Sequence, residues 1–262
     1  MIQLAIETSG RTGSLAVLDD ETLLKSFPLP SDRRTAATLT IMLREAVDWC
    51  QCQNKPIDFL SVAGGPGSFT GLRIGLTTAK TYCYATGLRL VAIDSIAAVA
   101  ATVFSQDASI DSVLVAVNAY RGQVFTGTYQ RARLLPAAVN LTNRSGEPDS
   151  AMGGIDPASA WITHLHSAVV LDTADLANVI SSLPPQTRFA GDPNVLAKST
   201  SADELAERLV PRTMPDATGS GLLGHHAAAW QQWVDPMKLT PRYLKASAAE
   251  EKADQSTAPP TR

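Results

Sequence analysis

The chain has 262 residues, a formal net charge of -3 and a pI near 5.8. That length holds one large domain or two modest ones with real cores, and 45% hydrophobic with 18% charged residues fits a soluble globular protein. The mild acidity excludes a protein that grips nucleic acid alone through a broad basic face.

The opening residues Met1-Ile2-Gln3-Leu4-Ala5-Ile6-Glu7 lack a basic region and read as a strand, not a leader. No uncharged apolar run reaches membrane-spanning length. Three cysteines, Cys50, Cys52 and Cys83, cannot all pair within one chain and fit a reducing compartment, so a cytoplasmic location is expected. Cys50-x-Cys52 resembles half a metal site, but no second pair stands at finger spacing, and we read these as packing residues.

In chain order, Ile2 to Thr8, Ser14 to Leu18 and Leu23 to Leu29 alternate as three strands of an antiparallel meander. Thr35 to Cys50 carries Ala36, Leu39, Leu43, Val47 and Cys50 on one helical stripe. A strand at Asp58 to Ala63 runs into Gly64-Gly65-Pro66-Gly67-Ser68-Phe69-Thr70-Gly71-Leu72-Arg73-Ile74-Gly75, where a buried strand turns into a helix from Thr70 to Ala85. Such a loop can cradle a phosphate at the helix start or simply make a tight turn, with Ser68 or Thr70 as cap. Leu88 to Ile93 is a further strand, and Ser95 is expected to cap a helix to about Phe104.

The order βββαβαβα predicts a mixed sheet flanked by helices, the signature of a ribonuclease-H-like half. A second half begins near Ser112: a hairpin of Val113 to Asn118 and Gln123 to Tyr129 turning at Tyr120-Arg121-Gly122, and a surface loop over 143–160. A strand from Ser167 to Leu171, a helix from Thr173 to Ser182, a strand at Arg188 to Ala190, a helix from Pro193 and a last helix from Gly219 to Val234 follow. We therefore expect an α/β chain of two domains, 1–105 and 106–245, the helix 219–234 packing back on the first. Residues 246–262 read as a disordered tail.

Several segments line up with one family. Ile2 to Ser9, Ala63 to Gly75 with Lys80 beyond, Val115 to Phe125 and Pro241-Arg242-Tyr243-Leu244-Lys245 resemble the opening strand, glycine signature, hairpin and closing motif of the TsaB (YeaZ) family. The resemblance implies two tandem domains of the actin, Hsp70 and sugar-kinase (ASKHA) class. It also implies a pseudo-enzyme that scaffolds and activates its catalytic paralogue TsaD in transferring threonylcarbamoyl to N6 of adenosine 37 of tRNA. A TsaE-type ATPase joins them, tRNA is contacted indirectly, and the chain alone can form a homodimer. Many members carry His-Ser near the start of the first long helix; here the segment reads Asp32-Arg33-Arg34-Thr35, so no role of that histidine transfers.

Chemistry-bearing residues are sparse. None of His164, His166, His225 and His226 forms an i, i+4 pair, the spacing that puts two imidazoles on one helical face, and we expect no metal site. Adjacent His225 and His226 are expected to point apart. Glu7 is either a remnant acid facing an interdomain cleft or a strand-end carboxylate in water or bonded to a turn, and the second reading is favoured. Asp192 could face the same cleft; Asp94 could start a helix. Thr8-Ser9-Gly10 resembles a phosphate-contacting hairpin, leaving room for weak nucleotide binding with Glu7 but no resident cofactor.

An inert subunit acts through a surface. Met42, Glu45 and Trp49 lie off the core stripe of the first helix, while Gly71-x-x-x-Gly75 and Ala79 line the second with small residues, beside Leu72, Leu76 and Cys83. Such a face suits a partner helix or the chain's own sheet. We assign Met42, Trp49, Gly71, Leu72, Gly75, Leu76, Ala79 and Cys83 to partner binding, and the resemblance implies a helical bundle with TsaD there. Arg73 and Lys80 are either solvated helix residues or contacts to a partner or to tRNA phosphate. The competing reading is an ASKHA-fold small-molecule kinase or ATPase with a degenerate site; a metal-dependent glycopeptidase-like hydrolase would need ligands that the histidine spacing denies.

Overall fold

A computed structural model describes residues 1–30, 35–136, 157–211 and 213–245. The residues that lack the family's histidine, 31–34, and the expected tail from 246 lie outside the described residues, as does most of the expected 143–160 loop. Residues 157–160 of that loop belong to a helix instead.

Apolar alternation produces the first sheet. Strands β1 (Ile2–Glu7), β2 (Ser14–Asp19) and β3 (Thr22–Pro28) pair antiparallel. Helices α1 (Thr35–Cys52) and α2 (Phe69–Thr86) then return the chain so that β4 (Phe59–Gly65) and β5 (Arg89–Asp94) add in parallel. The strand order is β3-β2-β1-β4-β5. Every residue of β1 and β4 is buried, which makes both mostly apolar, and the polar exceptions Gln3, Glu7 and Ser61 are hydrogen-bonded inside the fold.

The next elements are α3 (Ser95–Gln106), the hairpin β6 (Ser112–Tyr120) and β7 (Gln123–Gln130), α4 (Arg131–Leu134) and α5 (Pro157–Leu165). They lead to β8 (Val169–Asp172), α6 (Thr173–Ser181), β9 (Arg188–Gly191), α7 (Pro193–Leu196), α8 (Ala202–Arg208) and α9 (Ala217–Ala229). The second sheet runs β8-β7-β6-β9, antiparallel except for the parallel β6–β9 pair. It thus repeats the β3-β2-β1-β4 arrangement.

The order of layers follows from helix composition. Both α3 and α9 are apolar or small nearly all round, so a single stripe cannot satisfy them, and both are buried on almost every side. They pack on each other between the sheets: α9 lies across β1, β2, β4 and β5, and α3 against β6 and β7. Amphipathic α1 and α2 cover the opposite face of the first sheet, where Leu4, Ile6, Leu43, Ala46, Leu76 and Cys83 form a separate core. Leu176, Ile180, Val195 and Leu196 close the far face of the second sheet.

Two local expectations change. Asp94 caps α3, its Oδ1 accepting from the Ile96 and Ala97 amides at 2.8 and 3.0 Å, because its carboxylate reaches two free N–H groups while Ser95 is already helical. The last helix spans Ala217–Ala229 rather than 219–234, and Val234 instead bridges to Leu90.

Candidate functional site

The glycine loop earns its helix start through Ser68, whose side chain accepts from the Gly71 amide at 3.3 Å. Beyond it, α2 lies hard against the end of β1. A Cβ at Gly71 would strike the Thr8 carbonyl oxygen and one at Gly75 the Thr8 hydroxyl, so both positions require glycine for close approach. Thr8 Oγ1 in turn donates to the Gly71 carbonyl at 2.8 Å.

That packing corrects the surface assignment. Gly71, Leu72, Gly75, Leu76, Ala79 and Cys83 are all buried within this chain. Their small size brings α2 onto its own sheet and leaves no room for a second chain there. Met42 and Trp49 are half-buried, and the Trp49 ring meets Phe27 edge-on with centroids 6.5 Å apart. The outward apolar residues of the two helices are instead Ile41, 56% exposed, and Tyr84, 75% exposed. Both fall off the core stripes, which is the sequence signal that could have singled them out.

Arg73 and Lys80 both reach the closing segment, Arg73 from an exposed position and Lys80 from a half-buried one. The Arg73 guanidinium lies 3.8 Å from the Phe69 ring centroid and its Nε donates to the Tyr243 hydroxyl at 3.0 Å; Tyr243 stacks on Phe69. Lys80 Nζ donates to the Leu239 carbonyl at 2.8 Å. The Arg242 amide donates to the Gly64 carbonyl, and its guanidinium pairs with buried Asp94 while donating to the carbonyls of His166 and Ala168. Lys245 Nζ reaches the Ala119 and Tyr120 carbonyls of the β6–β7 turn. The glycine motif, the hairpin motif and the closing motif are therefore parts of one tie between the two sheets, which separate readings of each could not reveal.

The first hairpin is mostly closed. Glu7, Thr8 and Ser9 are buried and Gly10 is half-exposed. Glu7 accepts from the Ser9 amide at 2.6 Å and from the Ser220 hydroxyl of α9 at 3.1 Å. Burial pushes its carboxyl up to about 7 despite those bonds, with Asp216 nearby adding to the rise. Asp192 caps α7 by accepting from the Asn194 amide, and so serves a helix start.

The histidines are spread out. His164 ends α5 and its ring meets Tyr129 edge-on. His225 and His226 do not diverge as expected, because the acidic β2–β3 turn collects both: His226 Nε2 is 2.8 Å from Glu21 and His225 Nδ1 is 3.5 Å from Asp20. Among the described residues no group of three or more His, Cys, Asp or Glu side chains is placed to hold a metal ion, and no helix is long and apolar enough to cross a membrane.

Fold and site define an α/β protein of two mixed sheets flanked by helices, the second repeating the strand arrangement of the first, whose first-hairpin acid is buried and whose α1–α2 layer faces outward. The family model for TsaD, tRNA N6-adenosine threonylcarbamoyltransferase, matches residues 26–146. TsaB of Bacillus subtilis (strain 168), a tRNA threonylcarbamoyladenosine biosynthesis protein, is 32% identical over 130 residues, 50% of this chain and 56% of that protein. The Escherichia coli (strain K12) protein of the same name is 29% identical over 128 residues, 49% of this chain and 54% of that protein. The chain spans about half the length of the curated relatives it matches. Two solved Pseudomonas aeruginosa structures share the fold. One, described as similar to peptidase YeaZ, has 20% identity and a TM-score of 0.66 over 93% of this chain and 99% of that one. The other, YeaZ, has 21% identity and a TM-score of 0.62 over the same shares. Over about half its length this chain is thus similar to the TsaB proteins, and the motifs that resemble that family lie partly within the matched stretch.

Proposed function

We propose that this chain is a non-catalytic subunit that pairs with a TsaD-type enzyme and supports its transfer of threonylcarbamoyl to N6 of adenosine 37 in tRNA. The observation that carries the reading is the outer face of α1–α2, where Ile41 and Tyr84 stand exposed on helices whose inner faces are fully engaged. A stable interface buries on the order of 1,600 Å² in total, and a few aliphatic or aromatic anchors dominate its energy. Ile41 and Tyr84 are the anchors, with Met42 and Trp49 contributing from half-buried positions at their sides.

The absence of catalysis in this reading is supported by what holds Glu7: a serine hydroxyl and a backbone amide occupy its oxygens inside the fold. Thr8 likewise has its hydroxyl bonded to Gly71, so a weakly bound nucleotide would meet Gly10 first. In the same proposal residues 1–105 and 106–245 are the two domains, a TsaE-type ATPase joins the pair, tRNA is engaged through the partner, and the chain alone pairs with itself through the same face in the cytoplasm.

Co-expression with the TsaD of its own organism tests this. Threonylcarbamoyl transfer should require this chain and should vanish when either protein is omitted. Transfer undiminished without this chain, or carried out by it alone, defeats the proposal.

A further inference from the structure

A cavity of about 290 Å³ opens where the carboxyl ends of β4 and β5 meet α5, the end of α9 and the closing segment. Ile93, Trp161, Ile162, Leu165, Val234 and Leu239 make its walls apolar. His166, Gln232, Thr240 and Arg242 supply the polar part of its lining. An apolar pocket with a few convergent polar groups, at the ends of parallel strands and between two sheets, has the make-up and position of a small-molecule site.

The polar part keeps unused capacity. Arg242 gives three of its N–H groups to Asp94 and to the carbonyls of His166 and Ala168, which fix the guanidinium in place. A guanidinium has five N–H donors, so two make no bond among the described residues. Among the described residues the Thr240 hydroxyl makes no hydrogen bond, and the His166 ring has only its 3.8 Å approach to Asp94. Arg242 is the cation of the lining and pairs with Asp94, and Lys80, outside the lining, bonds the carbonyl of the wall residue Leu239 and has no carboxylate partner among the described residues.

We propose that this cavity binds a small amphipathic anion, an aromatic or branched aliphatic body seated on Trp161 and Ile162 with a carboxylate head at Arg242 and Thr240. The volume of about 290 Å³ lies just below the roughly 300–1,000 Å³ range of ligand pockets, which suits one ring with a short acid chain and excludes a whole nucleotide. Because residues 232–242 form one wall, the ligand ties the closing segment more firmly to the first sheet.

Isothermal titration of the full chain with 4-phenylbutyrate and with uncharged 4-phenylbutan-1-ol tests the assignment. The acid should bind with a Kd on the order of 1 mM or tighter, and the alcohol at least about tenfold more weakly. Ile162→Trp, which fills the cavity, should abolish binding of both. Arg242→Gln should reduce the acid to the level of the alcohol. Since that change also leaves Asp94 unpaired, Thr240→Val serves as a second probe of the head group and should weaken only the acid. Absence of binding by either compound, equal affinity for the two, or undiminished binding to Ile162→Trp would overturn the proposal.

Discussion

The two faces of α2 carry opposite chemistry for opposite reasons. Inward, Gly71, Leu72, Gly75, Leu76, Ala79 and Cys83 meet β1 and β4 with nothing between them. Outward, Thr77, Thr81 and Tyr84 are exposed, and Tyr84 is the most exposed large apolar side chain among the described residues. A stripe of small residues therefore marks where this helix approaches its own sheet, while the uncovered Tyr84 ring is, in the proposed function, an anchor for a second protein.

This contrast can be broken from either side, and the expected effects on folding fall in order. Ala79→Arg puts a charge where exposure is 0% and should cost more than about 4 kcal/mol, leaving little folded protein in a urea titration. Unchanged stability would mean the inner face is not closed.

Glu7→Gln comes next and depends on pH. The fold raises the Glu7 carboxyl from 4.5 to about 7. Between those values the folded chain binds more protons than the unfolded one, so wild-type stability falls as pH rises through that window, by roughly 3 kcal/mol in all. Glu7→Gln should be the more stable protein at pH 8 and lose its advantage toward pH 4. His226 works in the other direction: burial lowers its pKa, so acid below its ordinary 6.5 weakens the fold. The Glu7 contribution is therefore read as variant minus wild type at each pH, and a pH-independent difference would refute it.

Asp94→Ala removes both the α3 cap and the partner of Arg242, and should cost about 2 kcal/mol in urea unfolding. A loss below about 0.5 kcal/mol would show that the closing segment is held by its other bonds. The smallest effect on the fold belongs to Ile41→Asp and Tyr84→Asp, which should stay within about 0.5 kcal/mol of wild type. Those two should nevertheless abolish co-purification with the TsaD-type partner; retained co-purification would move the interface elsewhere.

Much of the architecture was legible in advance, because strands, turns and amphipathic helices declare themselves through side-chain spacing within a few residues. All nine strands of the described residues lie within about two residues of the expected positions, and the motifs that carry the family resemblance were readable as written. The site was less legible. Gly71-x-x-x-Gly75 has the same spacing whether a sheet or a foreign helix lies against it, and Arg73 gives no local sign that Tyr243 will be its partner. The nearly uniform apolar run of α3 was a usable signal of a helix buried on all sides.

Periodicity and turn chemistry settle which segments become strands and helices, since those preferences act over neighbouring residues. Tertiary contact settles what each face is for: Thr8 fills the space beside Gly75, Asp94 meets Arg242 across 148 positions of chain, and Glu7 loses its water to α9. Burial, desolvation and close approach are properties of juxtaposed elements, and they arise only when distant segments come together.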